Sequence, residues 1–158
     1  LRDEGEVHLF LDQLSPYEVH LCKGNHDGGI EKYEDAMTIH PPGGVVIDGV
    51  GFAHGHAWPS EDVGSQPLMV MGHQHPILRY GNLVRKVWAR ARLNLMERYG
   101  REVDALIMPA YSPSVWGTDV CAMNLGPLLS PNIFIKSSLK IYQLNGAEVG
   151  GCLSGKGR

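Results

Sequence analysis

Apolar residues recur at three- and four-residue spacing near the beginning of the chain. Between Glu4 and Leu14 they are Val7, Leu9, Phe10, Leu11 and Leu14. This spacing predicts an amphipathic helix that covers a sheet with one face. Ser15-Pro16 follows, and it predicts the end of the helix because a proline disfavours helical backbone at the residue before it.

Three later runs, apolar in whole or in part, each lead directly into a polar loop that carries histidine. The runs span residues 18–22, 50–53 and 68–71, and the loops after them are Gly24-Asn25-His26-Asp27, His54-Gly55-His56 and Gly72-His73-Gln74-His75. Short apolar runs are typical of buried strands. Because open α/β sheets bind ligands at the carboxyl ends of their strands, we expect these loops to meet at one site.

Two dipeptides indicate hairpin turns. Asp48-Gly49 lies between the apolar runs 45–47 and 50–53, and Asn145-Gly146 lies between residues 139–144 and 147–149. Both dipeptides are favoured in the two-residue loop of a β-hairpin.

Residues 83–99 fit a strand in their first part and a helix in their last part. Val87, Ala89, Ala91 and Leu93 alternate with Trp88, Arg90 and Arg92, whereas residues 93–99 would suit a helix. We expect a strand followed by a short helix. Residues 105–108 are a further candidate for a buried strand.

Composition limits the number of domains and the class of partner. The chain has 158 residues, 43% of them hydrophobic, which is enough for one modest domain and not for two. Its 14 basic and 17 acidic residues give a net charge of −3. This balance excludes the overall basic surface that is typical of nucleic-acid-binding proteins.

Half of the basic residues nevertheless fall within 23 positions around Trp88. They are Arg79, Arg85, Lys86, Arg90, Arg92, Arg98 and Arg101. Such a cluster can contact a phosphate backbone. We favour a solvated basic face instead, because no base-reading motif accompanies the cluster.

Cys22, Cys121 and Cys152 are far apart, and their spacing matches neither a disulfide framework nor a zinc-binding motif. A reducing, cytoplasmic location is expected on this basis. No run reaches the roughly 18 to 20 apolar residues of a membrane span, and there is no secretory leader, so we expect no membrane partner.

Asn25-His26-Asp27 combines groups that suit a catalytic metal site. An amide oxygen can bind a metal, an imidazole can donate a proton, and a carboxylate can orient that imidazole. The alternative is a plain turn, which Asn, Asp and Gly also favour. His73 and His75 are a second candidate, because a tight turn after Gly72 would direct both imidazoles towards adjacent metals. No role is assigned to three isolated histidines, His8, His20 and His40.

Taken in order, the three histidine loops resemble the later signature blocks of the calcineurin-like metallophosphoesterases. Those blocks are Gly-Asn-His-Asp (or Glu), a His-Gly segment and Gly-His-x-His, and they match Gly24 to Asp27, His54-Gly55-His56 and Gly72 to His75. The resemblance is strongest with the archaeal branch of predicted phosphoesterases distantly related to double-strand-break repair nucleases. Pro109-Ala110 and Leu128-Leu129-Ser130 resemble later segments of that branch.

The resemblance implies a fold and a metal centre. The fold is α/β, the C-terminal portion of a β-sandwich flanked by helices in an αββα four-layer arrangement. The centre holds two divalent ions, with Mn preferred and Fe, Zn or Ni as alternatives. Asn25, His54 and His73 would bind one ion, and His75 would bind the other.

The resemblance also implies a reaction. His26 would stabilise or protonate the leaving group, Asp27 would orient His26, and His56 would face the substrate. The substrate would be a phosphoester, such as a phosphodiester or a nucleic-acid end, hydrolysed with two-metal chemistry.

Two earlier blocks of the family are missing. Asp-x-His and a Gly-Asp whose carboxylate bridges the metals have no counterpart in the 23 residues before Gly24. Residues 1–158 are therefore expected to be a single partial metallophosphoesterase domain that lacks its N-terminal strands. Because the charge of the metals is then poorly compensated, we expect the chain alone to be inactive or nearly so.

Two other interpretations stay open. The chain could be a non-catalytic metal-binding or interaction remnant, which the missing carboxylates favour. It could also hold a structural zinc ion with His54, His73 and His75, although structural zinc usually recruits cysteine and a fourth ligand.

Overall fold

A computed structural model describes residues 4–121 and 133–149. The first half of the chain contains α1 (Glu4–Leu14), β1 (His20–Cys22), a 3₁₀ turn (Ile30–Tyr33), β2 (Thr38–His40), β3 (Val45–Ile47), β4 (Val50–Ala53), α2 (Glu61–Gly64), β5 (Leu68–Met71) and β6 (Pro76–Tyr80). The second half contains β7 (Leu83–Lys86), β8 (Trp88–Asn94), α3 (Met96–Tyr99), β9 (Glu102–Ile107), β10 (Thr118–Asp119), β11 (Phe134–Tyr142) and β12 (Glu148–Val149).

A sheet of seven strands forms the centre of the fold, in the order β12-β11-β8-β9-β5-β4-β3. The strands β4, β5 and β9 are mutually parallel, with Ala53 opposite Met71 and Met71 opposite Ile107. Their carboxyl ends therefore lie side by side at one edge of the sheet. The flanking strands β3, β8, β11 and β12 pair antiparallel to their neighbours.

Two smaller sheets lie outside this central sheet. One contains β1 and β2, which pair in parallel with His20 opposite Thr38 and Cys22 opposite His40. The other has the order β10-β6-β7. The loop after β4 and the loop after β5 thus belong to the central sheet, whereas the loop after β1 belongs to a separate one.

Burial follows the alternation of side chains along the strands. In β8, Ala89, Ala91 and Leu93 are buried while Arg90 and Arg92 are exposed, as expected for a strand with one face on the core. The main core also contains Met69, Met71, Val103, Ala105 and Ile107. A second cluster lies under α1 and consists of Val7, Leu11, Ile30, Tyr33 and Met37.

Most predicted elements are confirmed. The first helix spans Glu4–Leu14, strands end directly before the histidine loops at Cys22, Ala53 and Met71, and a strand followed by a short helix occupies residues 88–99. Asp48 and Gly49 have φ angles of 49° and 76° in the first hairpin, which is the left-handed pair that this turn requires. Asn145-Gly146 turns the second hairpin, where Ile141 lies opposite Val149.

Several elements differ from the prediction. The strand predicted at 105–108 begins at Glu102, and the strand predicted at 139–144 begins at Phe134. The strand predicted to begin at residue 83 is two strands, because β7 belongs to a different sheet from β8. The strands β2, β6 and β10 and the helix α2 were not predicted. The fold is mixed α/β, built mostly of sheets with few helices, and the four-layer arrangement and the partial-domain interpretation stay predictions.

Cysteine pairing also differs from the prediction. Cys121 is disulfide-bonded, whereas Cys22 is a free thiol. Cys152 and the segment Leu128-Leu129-Ser130 lie outside the described residues. Within residues 4–121 and 133–149, the helices are all too short or too polar to cross a membrane.

Candidate metal centre

The parallel strands bring the predicted loops together. Gly72 N donates to His54 O at 3.0 Å, so the backbone that follows β5 is hydrogen-bonded to the backbone that follows β4. Met108 N donates to Met71 O at 2.8 Å and places the segment after β9 beside them. The convergence expected from the sequence is therefore observed for His54-Gly55-His56 and Gly72-His73-Gln74-His75.

Three imidazoles from these loops form a cluster. The ring centroids of His54 and His56 are 5.2 Å apart, those of His54 and His73 are 5.2 Å apart, and those of His56 and His73 are 6.0 Å apart. Imidazoles bound to one metal at a metal–nitrogen distance of about 2.0–2.1 Å would have centroids about 5 Å apart in a tetrahedral site. The spacing of the rings therefore suits a shared ion.

The turn after Gly72 has a strained backbone. His73 and His75 have φ angles of 63° and 46°, and Gln74 N donates to Gly72 O at 2.7 Å. Left-handed backbone is unfavourable for residues with a Cβ and persists where surrounding structure holds it. Gly117 helps to hold this turn, since a Cβ on it would lie 1.4 Å from His75 O.

The loop after β1 reaches the same cluster. A Cβ added to Gly24 would lie 2.8 Å from Nδ1 and Cε1 of His54, so glycine is needed for this close approach. Asp27 Oδ2 accepts a hydrogen bond from Gly24 N at 2.8 Å, which fixes the loop. Asn25 and His26 are exposed. The predicted orientation of His26 by Asp27 stays a prediction.

Burial and repulsion between neighbouring imidazoles lower the pKa of His54 and of His73. The pKa of His54 is lowered to about 4, first by burial and then by His73 and His56, with an opposing effect of Asp27. Burial also lowers the pKa of His73, and His56 and His75 add to the shift. A neutral imidazole is the form that binds a metal, so these two residues need not release a proton at neutral pH.

His56 has an unsatisfied buried nitrogen. Its Nδ1 is buried and has no hydrogen-bond partner among the described residues. A buried polar atom without a partner is costly, and a bound ion would supply one. The sequence suggested a substrate-facing role for His56, but its position beside His54 and His73 makes it an equal candidate for a ligand.

The cluster does not form a complete coordination shell. In the part of the chain that the structure describes, no group of three or more His, Cys, Asp or Glu side chains is arranged to hold a metal ion. The spacing of the rings is therefore not accompanied by a complete set of arranged ligands among the described residues. Asp27 is the carboxylate that acts on His54, so the nearby donors are mainly neutral.

A cavity of about 330 Å³ lies at the cluster. His54, His73 and His75 line it, together with His20 and Cys22 from β1 and Tyr111 from the segment after β9. A larger cavity of about 650 Å³ is lined by Trp58 and Arg98. Another, of about 500 Å³, is lined by Arg85 and Lys86. Neither contains histidine, so we identify the site by its chemistry rather than by its size.

His20 and Cys22 were not predicted to belong to the site. They are two residues apart on β1 and therefore share one face of that strand, a signal that the sequence contains. His20 Nδ1 lies 2.8 Å from His40 Nε2 and their rings stack with centroids 5.1 Å apart. Cys22 Sγ donates to Phe52 O at 3.5 Å, next to β4.

The basic cluster around Trp88 has internal partners. Arg90 pairs with Asp104 at 2.9 Å and Arg92 pairs with Glu102 at 2.7 Å. Three more of its members have other partners: Arg98 lies over Trp58, Arg101 donates to Ser65 O, and Lys86 donates to Ala110 O. These contacts favour the interpretation of a structural, solvated face.

Compared with known proteins, the chain matches no family model, no curated protein and no solved structure. The functional proposal therefore depends on the motif residues and on the geometry of the site.

Proposed function

We propose that this chain carries part of the metal centre of a phosphoester hydrolase of the calcineurin-like metallophosphoesterase type. The observation that carries the proposal is the convergence of two histidine-bearing loops, whose imidazole centroids are 5.2 to 6.0 Å apart, at a cavity lined by His54, His73 and His75. The third loop, which carries Asn25 and His26, approaches His54 at Gly24. The order of those loops along the chain is the order of the family's later motifs.

The donors present fit divalent transition metals. Imidazole and amide groups suit Mn, Fe, Zn or Ni, and the unsatisfied Nδ1 of His56 leaves room for one more bond. Asn25, His54 and His73 would hold one ion and His75 the other, with His56 as a further candidate. When bound, such ions generate hydroxide near neutral pH and neutralise charge on the phosphoryl group.

The residues of the chain would have separate tasks. His26 is exposed on the loop that contacts His54, so it can approach a bound ester and donate a proton to the leaving oxygen. Asp27 fixes that loop through Gly24 N. The strained turn at His73 and His75 would position two ligands from one short segment.

A non-catalytic metal-binding or interaction role is the second candidate. The absence of an arranged group of three or more ligands in the described residues favours it, and so does the scarcity of carboxylates, because neutral ligands leave the charge of a divalent ion uncompensated. The structural zinc interpretation has less support, because His54 and His73 are only partly buried and line a cavity, whereas structural zinc sites are closed.

The test uses the 158-residue chain after removal of metal with a chelator. Mn²⁺ binding is measured by calorimetry, and hydrolysis of a chromogenic phosphodiester is measured with and without Mn²⁺. We expect weak binding and slow, Mn²⁺-dependent turnover, each reduced by at least about tenfold in His75→Ala and Asn25→Ala. His8→Ala is the matched control, since His8 contacts Tyr33 in the second cluster.

The outcomes separate the two candidates. Turnover that is undiminished in both His75→Ala and Asn25→Ala would contradict the assignment of these ligands. Turnover by the 158-residue chain, with a metal stoichiometry near two, would rule out the non-catalytic role.

A further inference from the structure

Tyr111 is the most exposed large side chain near the histidine cluster. The residue is 95% exposed, yet it lines the same cavity as His54, His73 and His75. Exposed aromatic residues beside a polar site are a common feature of ligand-binding surfaces. Tyr111 is therefore a candidate for contact with a ligand at this site.

The backbone around Tyr111 is held in place. Lys86 Nζ donates to Ala110 O at 2.9 Å and also to Ser112 O, so one ammonium group binds the carbonyls on both sides of Tyr111. Pro109 and Pro113 further restrict the same segment. The exposure of the ring is thus a property of an anchored segment.

Both ends of the segment are tied to the candidate site. Met108 N donates to Met71 O at 2.8 Å, directly before the histidine turn. Thr118 N donates to His75 O at 3.2 Å at the other end. A tyrosine on this anchored backbone, with its ring open to solvent beside the histidine cluster, offers a face on which a flat ring can stack.

We propose that Tyr111 stacks on the nucleobase of a nucleotide whose phosphate lies at the histidine cluster, and so selects nucleoside phosphoesters as the substrate class. The proposal rests on the proposed function, because that function brings the phosphate to the site. A tyrosine platform favours any base over none, since every base has an aromatic face.

The experiment compares two ligands that share a sugar phosphate. Binding of AMP and of ribose 5-phosphate to the 158-residue chain is measured by calorimetry with Mn²⁺ bound and by proton NMR of the ligands with diamagnetic Zn²⁺ bound. We expect AMP to bind roughly tenfold more tightly, which is the typical effect of one base–aromatic stack. Binding should also shift the adenine protons upfield through the ring current of Tyr111.

Substitutions assign the effect to the ring. Tyr111→Ala should remove both the preference and the upfield shift while ribose 5-phosphate binds as before, and Tyr111→Phe should keep both. Tyr17→Ala is the matched control, because Tyr17 is 71% exposed and lines a different cavity.

Each outcome decides the proposal. Equal affinity for the two ligands, or a preference that survives Tyr111→Ala, overturns the stacking role and leaves the phosphoester site intact. If ribose 5-phosphate does not bind, or binds equally well to His73→Ala, the proposed function fails and the stacking role fails with it.

Discussion

His73 and His75 have left-handed backbone conformations in a turn that also carries candidate ligands. Among the described residues that are not glycine, Asp48 is the only further one with a positive φ. It lies in a hairpin turn that favours this conformation. For the two histidines the local conformation opposes stability, and such strain tends to occur at functional sites. The turn therefore combines unfavourable backbone with useful side-chain placement.

Removing the Cβ at position 73 should relieve this strain. We expect His73→Gly to be more stable than His73→Ala by about 1 kcal/mol, because alanine keeps the steric conflict of left-handed backbone. Urea denaturation measures the difference. His56 is the control, because its φ is not positive, and there the alanine variant should be more stable than the glycine variant. If the same variant is the more stable one at both positions, the backbone at His73 is not strained.

Acid should destabilise the metal-free protein through His54. The pKa of His54 is about 4 in the folded chain against an ordinary value of 6.5. Between these pH values the unfolded chain binds a proton that the folded chain does not, so the free energy of unfolding falls as the pH drops from 6.5 to about 4. The stabilising contribution is present in full above pH 6.5.

Thermal unfolding between pH 7 and pH 4.5, with a chelator present, measures this effect. His54→Gln cannot take up that proton, so the melting temperature of the variant should fall less over this range than that of the unchanged chain. Parallel pH profiles for the two proteins would show that His54 does not cause the loss.

At the scale of elements, structure was predictable where the side-chain pattern or the turn residues indicate the element that the tertiary contacts also stabilise. The alternation along β8 and the Asp48-Gly49 hairpin predicted their structures because local pattern and tertiary contacts coincide there. Thr38–His40 is a short, polar strand without such a pattern, and β6 begins at Pro76 directly after the histidine turn. A proline is tolerated at the first residue of a strand, but it does not predict one.

The hairpin between β3 and β4 should be sensitive to its glycine. A Cβ at Gly49 would meet no atom within 4 Å, so Gly49→Ala tests backbone conformation alone at φ 76°. We expect a loss of about 1 kcal/mol in the free energy of unfolding. Gly28→Ala is the matched control, since its Cβ also meets no atom and its φ is not positive.

That pair of variants gives a direct comparison by urea denaturation. If Gly49→Ala and Gly28→Ala lower the free energy of unfolding equally, the left-handed backbone at position 49 does not require glycine.

At the scale of the whole molecule, the candidate site draws on two packing units. His54, His56 and His73 follow strands of the central sheet, while the Asn25 loop follows β1, which within residues 4–121 and 133–149 pairs only with β2. The sequence allowed the convergence of these loops to be predicted, because strand ends and histidines coincide along the chain. It did not indicate that β1 lies in a separate sheet, since strand pairing depends on contacts between distant residues.

The separation of β1 from the central sheet has a consequence for the order in which the site assembles. The pair β1–β2 contains three residues per strand, and Cys22 Sγ to Phe52 O is a contact between β1 and β4. Short pairs of this kind open more readily than a strand enclosed on both sides, such as β5. Amide hydrogen exchange at Leu21 should therefore be faster than at Val70.

Adding Mn²⁺ should slow exchange at Leu21 much more than at Val70, and unchanged rates at Leu21 would mean that the Asn25 loop takes no part in binding. If the site assembles in this order, the histidines of the central sheet are in place before the ion binds, and the Asn25 loop joins them when it binds. The metal affinity would then depend on the fraction of molecules in which the β1–β2 pair is folded.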